Sequence, residues 1–249
     1  PFVLTQGDVL NIETDAFGAD LTGSTVSADQ PVAVFGGSEA ANVPTTEKCL
    51  DGVCLYQGWA CETDADCPVT CCADHLEQQL PPTATWGQQY LATKSEQRGN
   101  APDVWRILAS SDGTQISTVP FQQAIPVLDK GEWFEFESME DFIVYGDKPI
   151  LLGQFLASEK APFPNNDTCE YVEDSLLGEG NFCKSFLDIS VYVVCEKHRD
   201  CPNMDQEGDA NIGDPAFILS VPYEQYRTEY VFLVPEQYEK NYVNIVAPI

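Results

Sequence analysis

The sequence contains little positive charge. Its 12 lysine and arginine side chains stand against 40 aspartate and glutamate side chains, which gives a formal net charge of −28 at pH 7. Surfaces that bind nucleic acid or anionic lipid need clustered Lys and Arg side chains to neutralise phosphate groups. We therefore expect neither nucleic acid nor a membrane surface as a partner. The acidic balance is compatible with divalent cations and with basic protein partners.

Histidine and long apolar runs are also scarce. Only 2 histidines are available to activate a serine or cysteine nucleophile. His75 follows a group of cysteines, and His198 lies in a run of charged residues. The sequence contains no G-x-S-x-G nucleophile motif and no glycine-rich phosphate loop. Apolar runs such as Val191–Val194 are far shorter than a membrane-spanning segment, so we expect no direct membrane insertion.

Carboxylates are abundant, but their abundance does not single out a catalytic pair. We therefore predict a protein that is not an enzyme. A carboxylate-based hydrolase remains the less favoured alternative.

Cysteine is frequent and unevenly placed. The 10 cysteines form two even-numbered groups, which favours two separate disulfide clusters in an oxidising compartment. Several pairings are possible within each group, so the connectivity stays open. Zinc is the rival interpretation, although the usual C-x₂-C knuckle is missing. The first group is Cys49, Cys54, Cys61, Cys67, Cys71 and Cys72, and the second group is Cys169, Cys183, Cys195 and Cys201.

Short apolar or alternating runs recur along the chain and are bounded by Gly, Pro, Asp and Asn. This pattern predicts an all-β fold of the sandwich type, built from antiparallel strands. Pro31–Phe35 is apolar throughout, which predicts a strand buried on both faces. Only Asp74–Leu80 has a brief helical pattern. The predicted strands are Val9–Ile12, Pro31–Phe35, Gln89–Ala92, Val104–Ala109, Trp133–Phe136, Phe142–Tyr145, Ile150–Phe155, Leu187–Val194, Phe217–Val221, Tyr230–Val234 and Tyr242–Val246.

Three short sequence blocks recur in the same order in both halves of the chain. Val3–Asp8 recurs as Val127–Glu132, Asp29–Val32 recurs as Asp147–Ile150, and Pro82, Trp86 and Tyr90 recur as Pro222, Tyr226 and Tyr230. In both halves the cysteines lie between the second and third blocks. Chance similarity of short β segments is the alternative explanation.

The blocks predict two tandem β-sandwich-like repeats with disulfide-stapled loop insertions. The first repeat covers residues 1–125, with an insertion at about 38–79. The second repeat covers residues 126–249, with an insertion at about 157–214.

One acidic segment has the spacing of a calcium loop. Residues 203–214 place oxygen ligands at the positions of a twelve-residue calcium-binding loop, with Gly208 at the sharp turn. A solvated acidic loop is the alternative. Glu62, Asp64 and Asp66 form a weaker candidate, because alternation would place them on one side of an extended segment. The predicted Ca²⁺ ligands are Asn203, Asp205, Glu207, Asp209 and Asp214.

Two longer stretches and one shorter stretch resemble a known family. The longer ones are Asp20–Val26 with Asp29–Gly37, and Asp74–Leu76 with Leu80–Thr83 and Trp86–Gly87; the shorter one is Asp214–Phe217. Together they resemble the N-terminal domain family of IgG Fc-binding protein. Ala73 stands where the family has a cysteine, and the cysteine pattern of the first group is similar to that of a secreted bacterial member.

The resemblance implies a secreted or cell-surface module with an adhesion or interaction role. The expected partner is an extracellular protein or glycoprotein. The alternative is a structural surface or stalk module, stabilised by its disulfides and by calcium. The sequence leaves the identity of the partner and the oligomeric state open.

Overall fold

The computed structural model describes residues 2–16, 18–46, 49–54, 59–67, 73–95, 101–158, 168–174, 178–184, 193–194, 214–234 and 243–247. Within these residues the regular structure consists of antiparallel strands and short 3₁₀ turns, without an α-helix. The all-β prediction is therefore confirmed. The strands are β1 (Phe35–Ala41), β2 (Cys49–Leu50), β3 (Val53–Cys54), β4 (Asp74–Gln79), β5 (Gly87–Ala92), β6 (Asp103–Ala109), β7 (Ile116–Val119), β8 (Trp133–Ser138), β9 (Phe142–Leu156), β10 (Thr168–Asp174), β11 (Gly178–Lys184), β12 (Val193–Val194) and β13 (Ala216–Leu219).

The largest sheet is organised around the 15-residue strand β9. Four strands lie in the order β13-β9-β6-β8, while β5 and β7 pair with the first part of β9. Two predicted strands, Phe142–Tyr145 and Ile150–Phe155, are thus parts of one long strand. The sheet takes strands from both sides of residue 125, the predicted boundary between the repeats.

The main hydrophobic core lies on this sheet. Trp105 and Ile107 of β6 project into it, because alternate residues of a strand share one face. Trp105 meets Phe142 edge to face, with ring centroids 5.2 Å apart. Each large apolar side chain buried in this core contributes about 1.5–3 kcal/mol. The buried members are Tyr90, Ala92, Trp105, Ile107, Phe136, Phe142, Val144, Ile150 and Leu152.

A second, smaller core joins this sheet to the pair β1–β4. Leu76 of β4 is buried with Val43 and Val104. The prediction of a helix at Asp74–Leu80 is therefore wrong, since this segment is strand β4 paired with β1. A helix this short is marginal in isolation, and the backbone pairing and the burial of Leu76 favour the strand.

Several segments predicted as strands have no strand partner in the part of the chain that the structure describes. Val9–Ile12 and Tyr230–Val234 are irregular, as is the described part of Tyr242–Val246. The expectation that Pro31–Phe35 is buried on both faces is also wrong, because Val32 and Phe35 are exposed and the strand begins only at Phe35. Apolar patterning indicates the capacity to form a strand, whereas pairing needs a second backbone.

Candidate functional site

Two disulfides brace a loop in the first half of the chain. Strands β2 and β3 form a hairpin in which Cys49 lies opposite Cys54. Cys49 is bonded to Cys61 and Cys54 is bonded to Cys67, so each strand of the hairpin is tied to the segment that follows it. Asp51 and Gly52 have φ values of 51° and 81° at the turn. Positive φ at both central residues is what a tight two-residue hairpin turn requires.

Backbone hydrogen bonds hold the same loop together. The Cys54 N–H donates to the Trp59 carbonyl at 2.8 Å, and the Cys61 N–H donates to the Gly52 carbonyl at 3.0 Å. The Trp59 side chain is nevertheless 59% exposed. The loop thus presents a large aromatic side chain from a backbone that is fixed by both covalent and hydrogen bonds.

The acidic residues of this loop have structural partners. Asp64–Asp66 is a 3₁₀ turn, so the expectation that Glu62, Asp64 and Asp66 line one side of an extended segment is wrong. Oδ2 of Asp66 accepts from the backbone N–H groups of Thr63 (2.9 Å) and Glu62 (3.0 Å). The Thr63 and Glu62 N–H groups lower the pKa of Asp66 by stabilising the carboxylate. Oδ1 of Asp64 accepts from the Cys49 N–H at 2.7 Å.

The sulfur atoms of Cys49, Cys61 and Cys67 lie within 4.8 Å of one another. Zinc binding at this group would require free thiolates, and all three sulfurs are in disulfides. Disulfide formation therefore replaces the zinc alternative for these cysteines.

The remaining predicted site residues fall largely beyond the described residues. Asn203, Asp205, Glu207 and Asp209 lie outside them, and Asp214 is an exposed residue just before β13. The calcium site therefore stays a prediction. Cys169 and Cys183 lie directly opposite each other on β10 and β11. Cys71, Cys72, Cys195 and Cys201 lie outside the described residues.

An arginine that the sequence analysis missed connects the N-terminal segment to the main sheet. Nη1 of Arg106, on β6, lies 2.8 Å from both Asp20 Oδ2 and Thr22 Oγ1. Its Nε donates to Glu135 Oε2 at 2.9 Å. Its guanidinium lies 4.1 Å from the centre of the Trp133 ring, which is within the range of a cation–π contact.

Asp20 is held as a carboxylate by these contacts. Partial burial acts to raise its pKa, but the hydrogen bonds from Thr22 and the charge and hydrogen bond of Arg106 outweigh burial and lower the pKa. Oδ1 of Asp20 accepts from the Thr22 N–H at 2.8 Å and from the Thr22 hydroxyl at 2.6 Å.

Close backbone contact follows immediately along the chain. A Cβ on Gly23 would lie 2.1 Å from the Gly131 carbonyl oxygen, so only glycine fits there. Asp20–Gly23 is part of the stretch that resembles the family, whereas no motif marks Arg106.

A buried ion pair fixes the start of β6. Asp103 is 1% exposed, and its Oδ1 lies 2.9 Å from Nζ of Lys94, whose side chain is 11% exposed. Asp103 also accepts from the Ser95 N–H, from the Ser95 hydroxyl and from Nε2 of Gln154, each at 2.7 Å. Both carboxylate oxygens are therefore satisfied, as burial of a charge requires. The pair links the end of β5 to β6 and β9.

These features define an antiparallel β protein with a disulfide-braced loop that presents an aromatic side chain. The chain matches the family model described as "IgGFc binding protein" over residues 1–248, and it therefore belongs to that family. No curated protein and no solved structure matches the chain. Among the described residues, no helix has the length and apolar character needed to cross a membrane.

Proposed function

We propose that the chain is an extracellular, non-catalytic module that binds a protein or glycoprotein partner. The observation that carries this proposal is the family match, which extends over residues 1–248. The family is a binding family and is not known as an enzymatic one. The name of the family makes the Fc region of IgG the first partner to test.

The disulfide-braced loop, residues 49–54 and 59–67, supplies the contact surface in this proposal. Tryptophan is among the side chains that most often dominate binding energy at protein interfaces. Trp59 is exposed, while its carbonyl accepts from the Cys54 N–H and Cys61, two residues later, is bonded to Cys49. A fixed loop loses little conformational entropy on binding, so more of the contact energy appears as affinity.

Surface plasmon resonance with immobilised IgG, its Fc fragment, deglycosylated Fc and Fab tests this proposal. We expect saturable binding to IgG and Fc but not to Fab. The deglycosylated fragment separates recognition of protein from recognition of glycan. Absence of saturable binding to IgG and to both forms of Fc would refute Fc as the partner.

Trp59→Ala should weaken binding by about 30-fold, which corresponds to the 2 kcal/mol typical of an interface hot spot. Phe121→Ala is the matched control, because Phe121 is also an exposed aromatic, at 73%, but lies outside the braced loop. Equal affinities for the two variants would show that the contact surface lies elsewhere. Since both side chains are exposed, neither substitution should change the melting temperature by more than a few degrees.

A further inference from the structure

The first recurring block forms the same turn in both halves of the chain. The Asp8 N–H donates to the Thr5 carbonyl at 3.0 Å, and the Thr5 N–H donates to the Asp8 carboxylate at 2.7 Å. In the second half, the Glu132 N–H donates to the Asp129 carbonyl at 2.9 Å, and the Asp129 N–H donates to the Glu132 carboxylate at 2.8 Å. The third residue of each turn is a glycine with positive φ, 92° in the first turn and 84° in the second.

The strand that follows the second block pairs with the strand that precedes the third block, and the register of this pairing is the same in both halves. The pairs between β1 and β4 are Phe35–Gln79, Gly36–Gln78, Gly37–Glu77 and Ser38–Leu76, and the pairs between β9 and β13 are Gly153–Leu219, Gln154–Ile218, Phe155–Phe217 and Leu156–Ala216. The distance from each residue to its nearest recurring block is the same in both sets, so each pair of the first set has one counterpart in the second. Phe35–Gln79, for example, corresponds to Gly153–Leu219. The next backbone bond corresponds too, from Leu80 to Val34 (2.8 Å) and from Ser220 to Leu152 (2.9 Å).

The third block also has one local structure. Thr83–Thr85 and Tyr223–Gln225 are both 3₁₀ turns, and each follows a proline. In each half, the tyrosine of the third block that follows this turn accepts a hydrogen bond through its hydroxyl from the backbone N–H of the residue three positions earlier. These tyrosines are Tyr90 and Tyr230. Gly87 donates to Tyr90 at 3.2 Å, and the Arg227 N–H donates to the Tyr230 hydroxyl at 2.8 Å.

The two halves differ in what pairs with the strand that follows. Tyr90 is on β5, pairs with Val144 of β9 and is 0% exposed. Its counterpart Tyr230 is 67% exposed and has no strand partner in the described part of the chain. Val26 is the counterpart of Val144, and it is 62% exposed and likewise unpaired among the described residues. β5 of the first half pairs with β9 of the second half. The counterpart of β5 is residues 227–232, and the counterpart of the first part of β9 is residues 24–32. Neither counterpart has a strand partner among the described residues.

We propose that residues 24–32 and 227–232 pair when two copies of this chain associate head to tail. Residues 227–232 of one copy form an antiparallel pair with residues 24–32 of the next copy, as β5 does with β9. The register places Tyr230 opposite Val26, as Tyr90 lies opposite Val144. A second copy is the occupant because this chain carries both sides of a pairing that already exists between its halves.

Two further segments complete the same arrangement. Residues 9–14 correspond to β8, and both follow directly on the recurring turn. The sequence of Val243–Ala247 is similar to that of Trp105–Ala109 of β6, which is the strand that pairs with β8. Both segments are exposed, with Val9 at 90% and Ile245 at 89%. The proposed contact thereby includes a second strand pair.

Charge permits this contact. Residues 24–32 contain only Asp29 as a charged residue, and residues 227–232 contain only Arg227 and Glu229. The paired edges therefore contribute little to the net charge of −28. Repulsion between the remaining surfaces is screened by salt, so association should strengthen as ionic strength rises. A head-to-tail contact leaves one free edge on each end, so it produces assemblies larger than dimers unless it closes into a ring.

Sedimentation velocity over a range of protein concentrations tests the proposal, with the full chain in about 0.5 M salt to reduce repulsion. Wild type should form concentration-dependent assemblies larger than a dimer. Val26→Glu and Tyr230→Glu should each be monomeric, because each places a charge on one of the two edges. Phe121→Glu adds the same charge at an exposed position that belongs to neither segment, and it should assemble as wild type does.

The decisive measurement is an equimolar mixture of Val26→Glu and Tyr230→Glu. Each variant retains one intact edge, and these edges are complementary, so the mixture should form a dimer and nothing larger. A β-type circular dichroism spectrum and cooperative thermal unfolding establish that both variants are folded, and their melting temperatures are compared with wild type at a concentration where wild type is monomeric. A monomeric wild type at all concentrations overturns the proposal, since it indicates either that the edges do not pair or that they pair within one chain. A mixture that stays monomeric overturns it as well.

Discussion

The buried pair between Asp103 and Lys94 offers the sharpest test of how the main sheet is held together. Asp103→Asn keeps the shape of the side chain and removes its charge. Lys94 would then keep a nearly buried ammonium without a carboxylate partner. The amide nitrogen of asparagine would also face hydrogen-bond donors, because all four groups around Asp103 donate to it.

Breaking a buried, hydrogen-bonded ion pair by removing one charge costs about 3–5 kcal/mol. For a chain of this size, each kcal/mol lowers the melting temperature by about 2–4 °C. We therefore expect Asp103→Asn to melt about 6–20 °C below wild type. Differential scanning calorimetry, with urea unfolding as a second probe, measures this loss.

The matched control is Glu135→Gln, which removes the charge from a salt bridge with Arg106 whose partners are both partly exposed. Exposed ion pairs contribute about 0–1 kcal/mol, so this variant should melt within a few degrees of wild type. Equal effects of the two substitutions would refute the reasoning, because they would show that burial of Asp103 does not set its contribution.

Three further predictions concern the N-terminal segment, the predicted calcium site and the disulfides. The pKa of Asp20 is lowered in the fold, so its stabilising effect is present above about pH 4 and is lost as the pH falls through the lowered pKa. Asp20→Asn should therefore lower the melting temperature at pH 7, and this loss should shrink steadily as the pH falls below about 4. A loss that stays the same down to the lowest pH at which the protein folds would show that the charge of Asp20 is not what stabilises the fold. Millimolar calcium should raise the melting temperature more than magnesium does at matched ionic strength. The added free energy of unfolding should grow as RT ln(1 + [Ca²⁺]/Kd), where Kd is the dissociation constant for calcium. Asp205→Ala with Asp209→Ala should abolish that shift, and a shift that survives would place the ion elsewhere. Non-reducing peptide mapping should find Cys49–Cys61 and Cys54–Cys67 and no bridge between the two cysteine groups, and a peptide joining residues 49–72 to 169–201 would contradict this.

Local sequence was sufficient to predict the strands that pack with one face on the core. In β8, Phe134 and Phe136 alternate with Glu135 and Glu137, and alternation is a property of the single strand. β6 is apolar on both faces, because Trp105 and Ile107 lie in the main core and Val104 lies in the second core. The clustering of cysteines likewise predicted that disulfides staple the first insertion, as Cys49–Cys61 and Cys54–Cys67 confirm. Which cysteines join was open, because pairing depends on which side chains the folded loop brings into contact.

Only the tertiary structure decided the features that depend on a second segment. The helical pattern of Asp74–Leu80 gave way to strand β4, because β1 supplies the backbone partner. Arg106 could not be predicted as the anchor of Asp20, since the two are distant in sequence and no motif connects them. Tyr90 and Tyr230 have similar sequence surroundings, and one is buried while the other is exposed. The pairing of Tyr90 with β9 decides the difference, because a strand is buried only where another backbone and its side chains cover it.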